Sequence, residues 1–177
     1  MIETDRLRVR PWRDEDIEPF SILNSDPEVL RFLGIRGTRG ESEAFVARQQ
    51  AMQAELGHCL WALERKEDGA LLGFCGVRPG VPGTPIAGDL EIGWRLGSAH
   101  WGQGYAREAA SACLDWSFQS AGVPRVVAIT VEGNARSRGL MGRLGMTRRP
   151  ELDFLHPILP DGHELKPHIT YAKAGPA

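Results

Sequence analysis

Gly102 and Gly104 stand one residue apart, where a run of alternating apolar residues ends and a helical run begins. Glycine has no side chain, so the backbone of Trp101-Gly102-Gln103-Gly104-Tyr105-Ala106 can approach a ligand closely. The helix that follows leaves its first N–H groups without intrahelical partners, and its dipole makes that end positive. Together these features form a site for an anion, most naturally a pyrophosphate. Upstream, Asp89, Glu91, Gly93 and Arg95 alternate with Leu90, Ile92, Trp94 and Leu96, which is the period of a strand with one apolar face. A carboxylate beside such a turn can accept a proton from a nucleophile, directly or through water. Glu91 is the candidate for that work, and Asp89 on the same face is the reserve.

The glycine turn alone admits several ligands. A P-loop needs Lys-Ser/Thr after its last glycine, and Tyr105-Ala106 stands there instead. A dinucleotide site is the stronger rival, with Glu132 at the end of the next strand available for a ribose. Against it, the third glycine of that fingerprint would fall at Arg107, and a strand carrying Asp89, Glu91 and Arg95 is too polar for a buried parallel position.

Residues 90–110 resemble the acetyl-coenzyme A site of the GNAT N-acetyltransferase superfamily, whose fingerprint is Q/R-x-x-G-x-G/A. Trp101 stands in its first position, with Gly104 and Ala106 in the last two. A tryptophan there, within Trp-Gly-x-Gly-Tyr-Ala, is similar to the RimJ/RimL-type branch, typified by enzymes that acetylate the N-termini of ribosomal proteins. The opening Glu3-Thr4-Asp5-Arg6-Leu7-Arg8-Val9-Arg10 resembles that branch's first strand. Asn134-Ala135-Arg136-Ser137 and Leu144-Gly145-Met146 resemble its Asn-x-x-Ser…Leu-Gly-Phe segment. The likeness covers nearly the whole chain.

The resemblance implies an α/β fold of the α+β type, a mixed, twisted central sheet of about six or seven strands flanked by helices, as one domain over residues 1–177. It implies acetyl-CoA as acyl donor, no metal, and direct attack by a primary amine in a ternary complex. That amine belongs to a protein N-terminus or a small molecule. Glu91 takes the place of the base. Trp94, Arg95 and Leu96 lie on a strand that splays from its neighbour along the pantetheine, with an amide near Arg95 facing the thioester oxygen. Trp101 and Gly102 belong to the cofactor turn, and Gln103, Gly104, Tyr105, Ala106 and Arg107 hold the pyrophosphate through backbone N–H groups, with Arg107 adding charge. Asn134 bonds the cofactor arm. Met141 occupies the place of the usual tyrosine acid, and Ser137 that of a serine able to hydrogen-bond the sulfur. Two alternatives stay open: an NAD(P)-binding oxidoreductase, and a non-catalytic acyl-CoA sensor suggested by the missing tyrosine.

The elements that must position these residues follow from pattern. Residues 6–11 read as a first strand, Asp14 as the cap of a short helix containing Pro19, and Ser25-Asp26-Pro27 as a second helix start stopped by Gly34. Thr38 and Glu41 have capping-box spacing ahead of a helix with Phe45, Arg48, Gln49, Met52 and Leu56 on one stripe. Cys59–Arg65 and Ala70–Val77 form a hairpin around Glu67-Asp68-Gly69. A helix runs from the glycine turn to about Ser120, followed by a strand over Val126–Val131, a helix capped by Asn134 and a closing strand over Ile169–Ala172.

Composition bounds the rest. A net charge of −2 supplies no field for nucleic acid or a membrane surface. No apolar run is long enough for a bilayer, and the charged opening is unlike a signal peptide, so the expected setting is cytoplasmic, with a homodimer as the default assembly. Cys59, Cys75 and Cys113 read as buried free thiols. His156, His163 and His168 fit no compact metal motif; a loop carrying them could reach the acceptor side.

Overall fold

A computed structural model describes residues 1–176. Its strands are β1 (Ile2–Glu3), β2 (Leu7–Arg10), β3 (Leu60–Arg65), β4 (Leu71–Pro79), β5 (Leu90–Leu96), β6 (Arg125–Thr130), β7 (Thr147–Arg148), β8 (Phe154–Leu155) and β9 (Pro167–Ala174). Its α-helices are α1 (Ile17–Asn24), α2 (Pro27–Leu30), α3 (Arg39–Leu56), α4 (Tyr105–Gln119) and α5 (Ala135–Arg143). The sheet has nine strands in the order β1-β2-β3-β4-β5-β6-β9-β7, with β8 beside β9. Every neighbouring pair is antiparallel except β5 and β6. The count exceeds the expected six or seven because β1, β7 and β8 are two residues each, too short to show any period.

Cross-strand partners share a face, so the register of β4 and β5 sorts the sheet into two sides. Phe74, Gly76 and Arg78 oppose Arg95, Gly93 and Glu91 on one side; Cys75 and Val77 oppose Trp94 and Ile92 on the other. The second side packs on α4, where Trp116 meets Trp61 edge-on with ring centres 5.0 Å apart. The first side packs on α1 and α3 through Phe20, Phe45 and Phe74, with Trp12 joining them. Trp12 is buried and its Nε1 donates to the Leu60 carbonyl at 2.6 Å, so it anchors the chain ahead of α1. All three cysteines are buried and free; burial pushes the Cys59 thiol up to about 12.

Local expectations hold where side chains act within a few residues. Thr38 and Glu41 form the capping box of α3, Asp26 caps α2, and Asn134 caps α5. Two differ. Asp14 opens a 3-10 turn (Asp14–Asp16) instead of capping α1, because Asp16 turns back to accept from the Arg13 N–H and from Arg10. The buried positions of α3 are Ser42, Val46 and Gln49, while Leu56 is 43% exposed. Phe45 and Met52 pack on the core beside them, and polar bonds tie the helix to β3: Gln49 accepts from the Leu60 N–H at 3.0 Å and Gln53 from Trp61 Nε1 at 2.6 Å. The helix before Gly34 also ends early, at Leu30. No described helix is long and apolar enough to cross a membrane.

One buried charge cluster ties β2, β3 and the turn before α1. Arg10 meets Asp16 through two bonds of 2.8 Å and Glu64 through one of 2.6 Å, and all three residues are buried. Removing the Arg10 cation would strand Asp16, while Glu64 keeps Arg8 at 2.8 Å; breaking such a buried pair costs about 3–5 kcal/mol. In a domain of this size each kcal/mol moves the melting point by about 2–4 °C. Arg10→Met should therefore melt roughly 6 °C or more below the wild type by calorimetry; an unchanged melting point would show that the cluster is not what holds β2 to β3.

Candidate active site

The parallel pair β5 and β6 stays in register only at Leu90–Val126 and Glu91–Val127. Beyond these, β6 continues along β9 while β5 remains on β4, so the two strands part and the β6-facing backbone edge of Ile92–Leu96 has no strand partner. A slot opens between them. At its far end the chain makes a 3-10 turn (Ser98–His100) and enters the glycine turn.

That turn is braced from several directions. Trp101 Nε1 donates to the Leu96 carbonyl at 2.8 Å, and the Arg136 guanidinium lies 4.5 Å from the Trp101 ring centre, which joins the end of β5 to the first turn of α5. Gln103 Nε2 donates to the Ala99 carbonyl. Arg6 donates to the Gln103 carbonyl, pairs with Glu108 at 2.7 Å and lies 4.5 Å from the Tyr105 ring centre. Gly104 is the N-cap of α4, with φ 84°, and no side chain caps the helix. A residue with a Cβ is strained at that φ, which explains the glycine. The α4 N–H groups thus remain available to an anion, and a Cβ on neighbouring Gly102 would meet nothing within 4 Å. An uncapped 15-residue helix opening onto a free-edged strand fits a ligand with a pyrophosphate and an extended arm.

Glu91 sits at the point where the strands part. It is 5% exposed, and both carboxylate oxygens accept from Arg78 Nη2, at 2.9 and 3.1 Å. Burial lifts its carboxyl above the ordinary range, and the Arg78 charge pulls it part of the way back. Asp89 is fully engaged elsewhere: Arg125 grips it through two bonds of 2.9 and 2.7 Å, fastening the start of β5 to the start of β6. Four residues beyond Glu91 on the same face, Arg95 donates to Asn24 Oδ1 at 2.9 Å and lies 5.2 Å from the Phe74 ring centre. Burial, aided by Arg78, pushes its guanidinium down to about 10.

The two walls above this floor come from distant parts of the chain. On one side stand α1 and the loop after α2. On the other, β8 and β9 bring Phe154, His156 and His168 together, with the histidine rings 4.8 Å apart. Arg78 is near enough to both imidazoles to disfavour their charge. The walls meet where Leu159 packs on Gly34; a Cβ on Gly34 would come within 2.8 Å of it.

Comparison with known proteins gives this architecture its context. The family model described as "Acetyltransferase (GNAT) domain" matches residues 6–147. The chain is 33% identical over 144 residues to the uncharacterized protein YkkB of Bacillus subtilis, covering 81% of this chain and 83% of that one. It is 29% identical to the FsC-acetyl coenzyme A-N(2)-transacetylase of Aspergillus fumigatus, covering 82% of this chain and 64% of that protein. The crystal structure of the acetyltransferase from Agrobacterium tumefaciens superimposes with a TM-score of 0.78 at 26% identity, covering 97% and 92% of the two chains. The chain belongs to the GNAT acetyltransferase family.

Within a GNAT protein the structure sorts the sequence candidates. Trp94, Arg95 and Leu96 lie on the free edge of β5; Gly102, Gly104, Tyr105, Ala106 and Arg107 surround the start of α4. Trp101 and Gln103 spend their side chains bracing the turn. Asn134 accepts from the Ser137 N–H at 3.2 Å, and Ser137 is half-buried in the first turn of α5. Met141 is buried in the core and presents no proton donor. Among the alternatives, the dinucleotide reading gives way to the family, and β5 is paired antiparallel to β4 on its other side. Sequence reasoning missed Arg78 and Asn24; it named His156 and His168 on a loop able to reach the acceptor side, but not their pairing. Nothing in the run Phe74-Cys75-Gly76-Val77-Arg78 announces that its arginine meets Glu91 across a long loop.

The histidine wall yields a pH prediction. Burial first, then His168 and Arg78, push His156 down to about 4 from its ordinary 6.5; burial and Arg78 also lower His168. Both folded values lie below the unfolded one, so the folded state resists protonation. Their contribution is fully present above pH 6.5 and is lost as pH falls toward 4. His156→Phe should therefore lose less melting temperature between pH 7 and pH 5 than the wild type. Equal losses would show that the imidazole is not held neutral by the fold.

Proposed function

We propose that this protein is an acetyl-CoA-dependent N-acetyltransferase of the RimJ/RimL type, acting on a primary amine in a ternary complex as one cytoplasmic domain. The observation that carries the reading is the conjunction at Glu91: a buried carboxylate stands where β5 leaves β6, on the strand that runs to an uncapped helix N-terminus. The N(2)-transacetylase name of the Aspergillus relative agrees with nitrogen as the acceptor atom.

The roles follow from placement. Backbone N–H groups of Gly104 to Arg107 would hold the pyrophosphate at the start of α4. The free edge of Trp94–Leu96 would hold the pantetheine arm, with the amide near Arg95 donating to the thioester oxygen, where such a fixed donor favours the transition state. Acetyl-CoA supplies an acyl group already activated as a thioester. Glu91 supplies the base. Amines reach the site largely protonated, since α-amines titrate near 8 and lysines near 10.4. A carboxyl whose proton affinity is raised by burial, against the opposing pull of Arg78, is matched to removing that proton directly or through water. Asp89, held by Arg125, acts as a clamp between strands. Ser137 stands in for the missing tyrosine as a hydrogen-bond donor to the departing sulfur, a weaker role than that of an acid.

Two measurements test this. Acetyl-CoA at a hundred times its dissociation constant should stabilise the protein by about 2.7 kcal/mol, a melting shift of roughly 5–10 °C, while NADH should give none. Glu91→Gln should keep that shift and lower kcat by about 10²–10⁴-fold. In the wild type the rate should fall on acidification through a group that titrates above the ordinary glutamate range, and the variant should lack that limb. A Glu91→Gln enzyme with undiminished turnover would remove Glu91 from the mechanism, and a shift with NADH alone would end the acetyltransferase reading.

A further inference from the structure

The floor of the cleft carries more donors than it can satisfy. Arg78 Nε and Arg95 Nε are both buried and have no hydrogen-bond partner. A third such atom, Arg138 Nε, lies on α5 in a pair with Glu132, away from this face. Buried polar atoms are almost always bonded, so two orphaned guanidinium donors flanking one site need an explanation. The register of β4 and β5 puts both arginines on the Glu91 side of the sheet, at either end of the Gly76–Gly93 pair.

Charge makes the same point independently. Arg78 pairs with Glu91, whereas Arg95 has no carboxylate among its partners. Arg95 has only the Asn24 amide and the Phe74 ring for company, and Asn24 is fixed by donating to Ser42 Oγ at 3.0 Å. The neighbouring ion pairs, Asp89 with Arg125 and Asp153 with Arg148, are each balanced within themselves. His156 and His168 are held toward the neutral form and cancel nothing. The cleft therefore keeps about one uncompensated positive charge in a partly dehydrated setting, which is costly unless an anion completes it.

Resting on the N-acetyltransferase reading, the geometry points to an acceptor that carries a carboxylate beside its amine, such as a free amino acid, with the carboxylate held between Arg95 and Arg78 and the amine directed to Glu91. Guanidinium Nε–H with a neighbouring Nη–H is the fork that a carboxylate fits in bidentate fashion. Arg95 bonds Asn24 through Nη1 and so keeps its whole Nε–Nη2 fork, while Arg78, whose Nη2 serves Glu91, adds its unbonded Nε. A protein N-terminus has an amide where an amino acid has its carboxylate and would leave both donors unpaired.

The test compares matched acceptors. Thiol release from acetyl-CoA is followed with the twenty protein amino acids, with their carboxamides, and with isoamylamine and phenethylamine as the decarboxylated partners of leucine and phenylalanine. The best amino acid should exceed its own carboxamide in kcat/KM by at least about tenfold, the usual worth of a charge-assisted hydrogen bond. The preference would run against chemistry, because the carboxamide has the less basic amine. Arg95→Met, with Arg95→Lys as a second variant should the first fail to fold, should shrink that ratio several-fold whatever happens to the two rates separately. In wild type saturated with CoA, the same amino acid should raise the melting point and its carboxamide should not. Carboxamides or peptide N-termini acetylated as fast as amino acids would overturn the inference and leave the acetyltransferase reading standing. No melting shift with acetyl-CoA and no thiol release with any amine would bring down that reading, and the inference with it.

Discussion

Most of what this chain does at its site depends on one departure from regular pairing: β5 and β6 are held together for two residue pairs and then separate. A parallel ladder that continued would have consumed the backbone groups of Ile92–Leu96 and left no room for an extended ligand arm. The separation is stable because each strand keeps its other neighbour over its full length, β4 for β5 and β9 for β6. The Asp89–Arg125 pair closes the ladder at its base, just before the strands part. Free hydrogen-bonding edges are normally a liability. Here the edge lies inside the molecule, between two well-supported halves of the sheet.

The glycine turn is the second half of the same device. An uncapped helix end attracts anions only if it is held still, and this one is held by contacts from three separated segments. Arg6 and Thr4 from the N-terminus bind Glu108 in the first turn of α4, Trp101 bonds back to β5, and Arg136 from α5 covers the Trp101 ring. The likeness of residues 3–10 to the branch's opening thus has a physical reason: Arg6 pins the binding helix from outside the motif.

These observations explain how far the sequence could be read. The Gly102–Gly104 turn, the Thr38–Glu41 capping box and the Asn134 cap were legible because each is decided within a few residues. The alternating run of β5 revealed one apolar face, but its polar face is not a solvent face. Glu91 and Arg95 are covered by helices and loops far away in the chain, which period alone does not disclose. Arg78 was invisible for a related reason. Its pairing with Glu91 depends on the register of β4 against β5, and the ten residues between those strands leave that register open. The stripe of α3 holds at Phe45, Gln49 and Met52, while Arg48 and Leu56 face out and Gln53 reaches Trp61, a polar contact that hydrophobic spacing cannot anticipate.

Two charge clusters on this sheet, one wholly buried and one half-buried, allow a comparison within one fold. In the first, on β2 and β3, Arg10 faces Asp16 and Glu64, and its donors are spent on those carboxylates and on the Pro11 carbonyl. In the second, on β4 and β5, Arg78 pairs with Glu91, Arg95 has only the Asn24 amide, and each arginine keeps an unbonded Nε. The same protein, under the same rules of burial, completes one network and leaves the other short of acceptors. The completed network sits where β2 meets β3, away from the slot, and serves stability. The incomplete one sits on the strand that parts from β6, where an incoming ligand could supply what is missing. Two of the three unbonded buried side-chain donors among the described residues fall in this one cluster, which is the pattern of a site whose stability has been traded for binding.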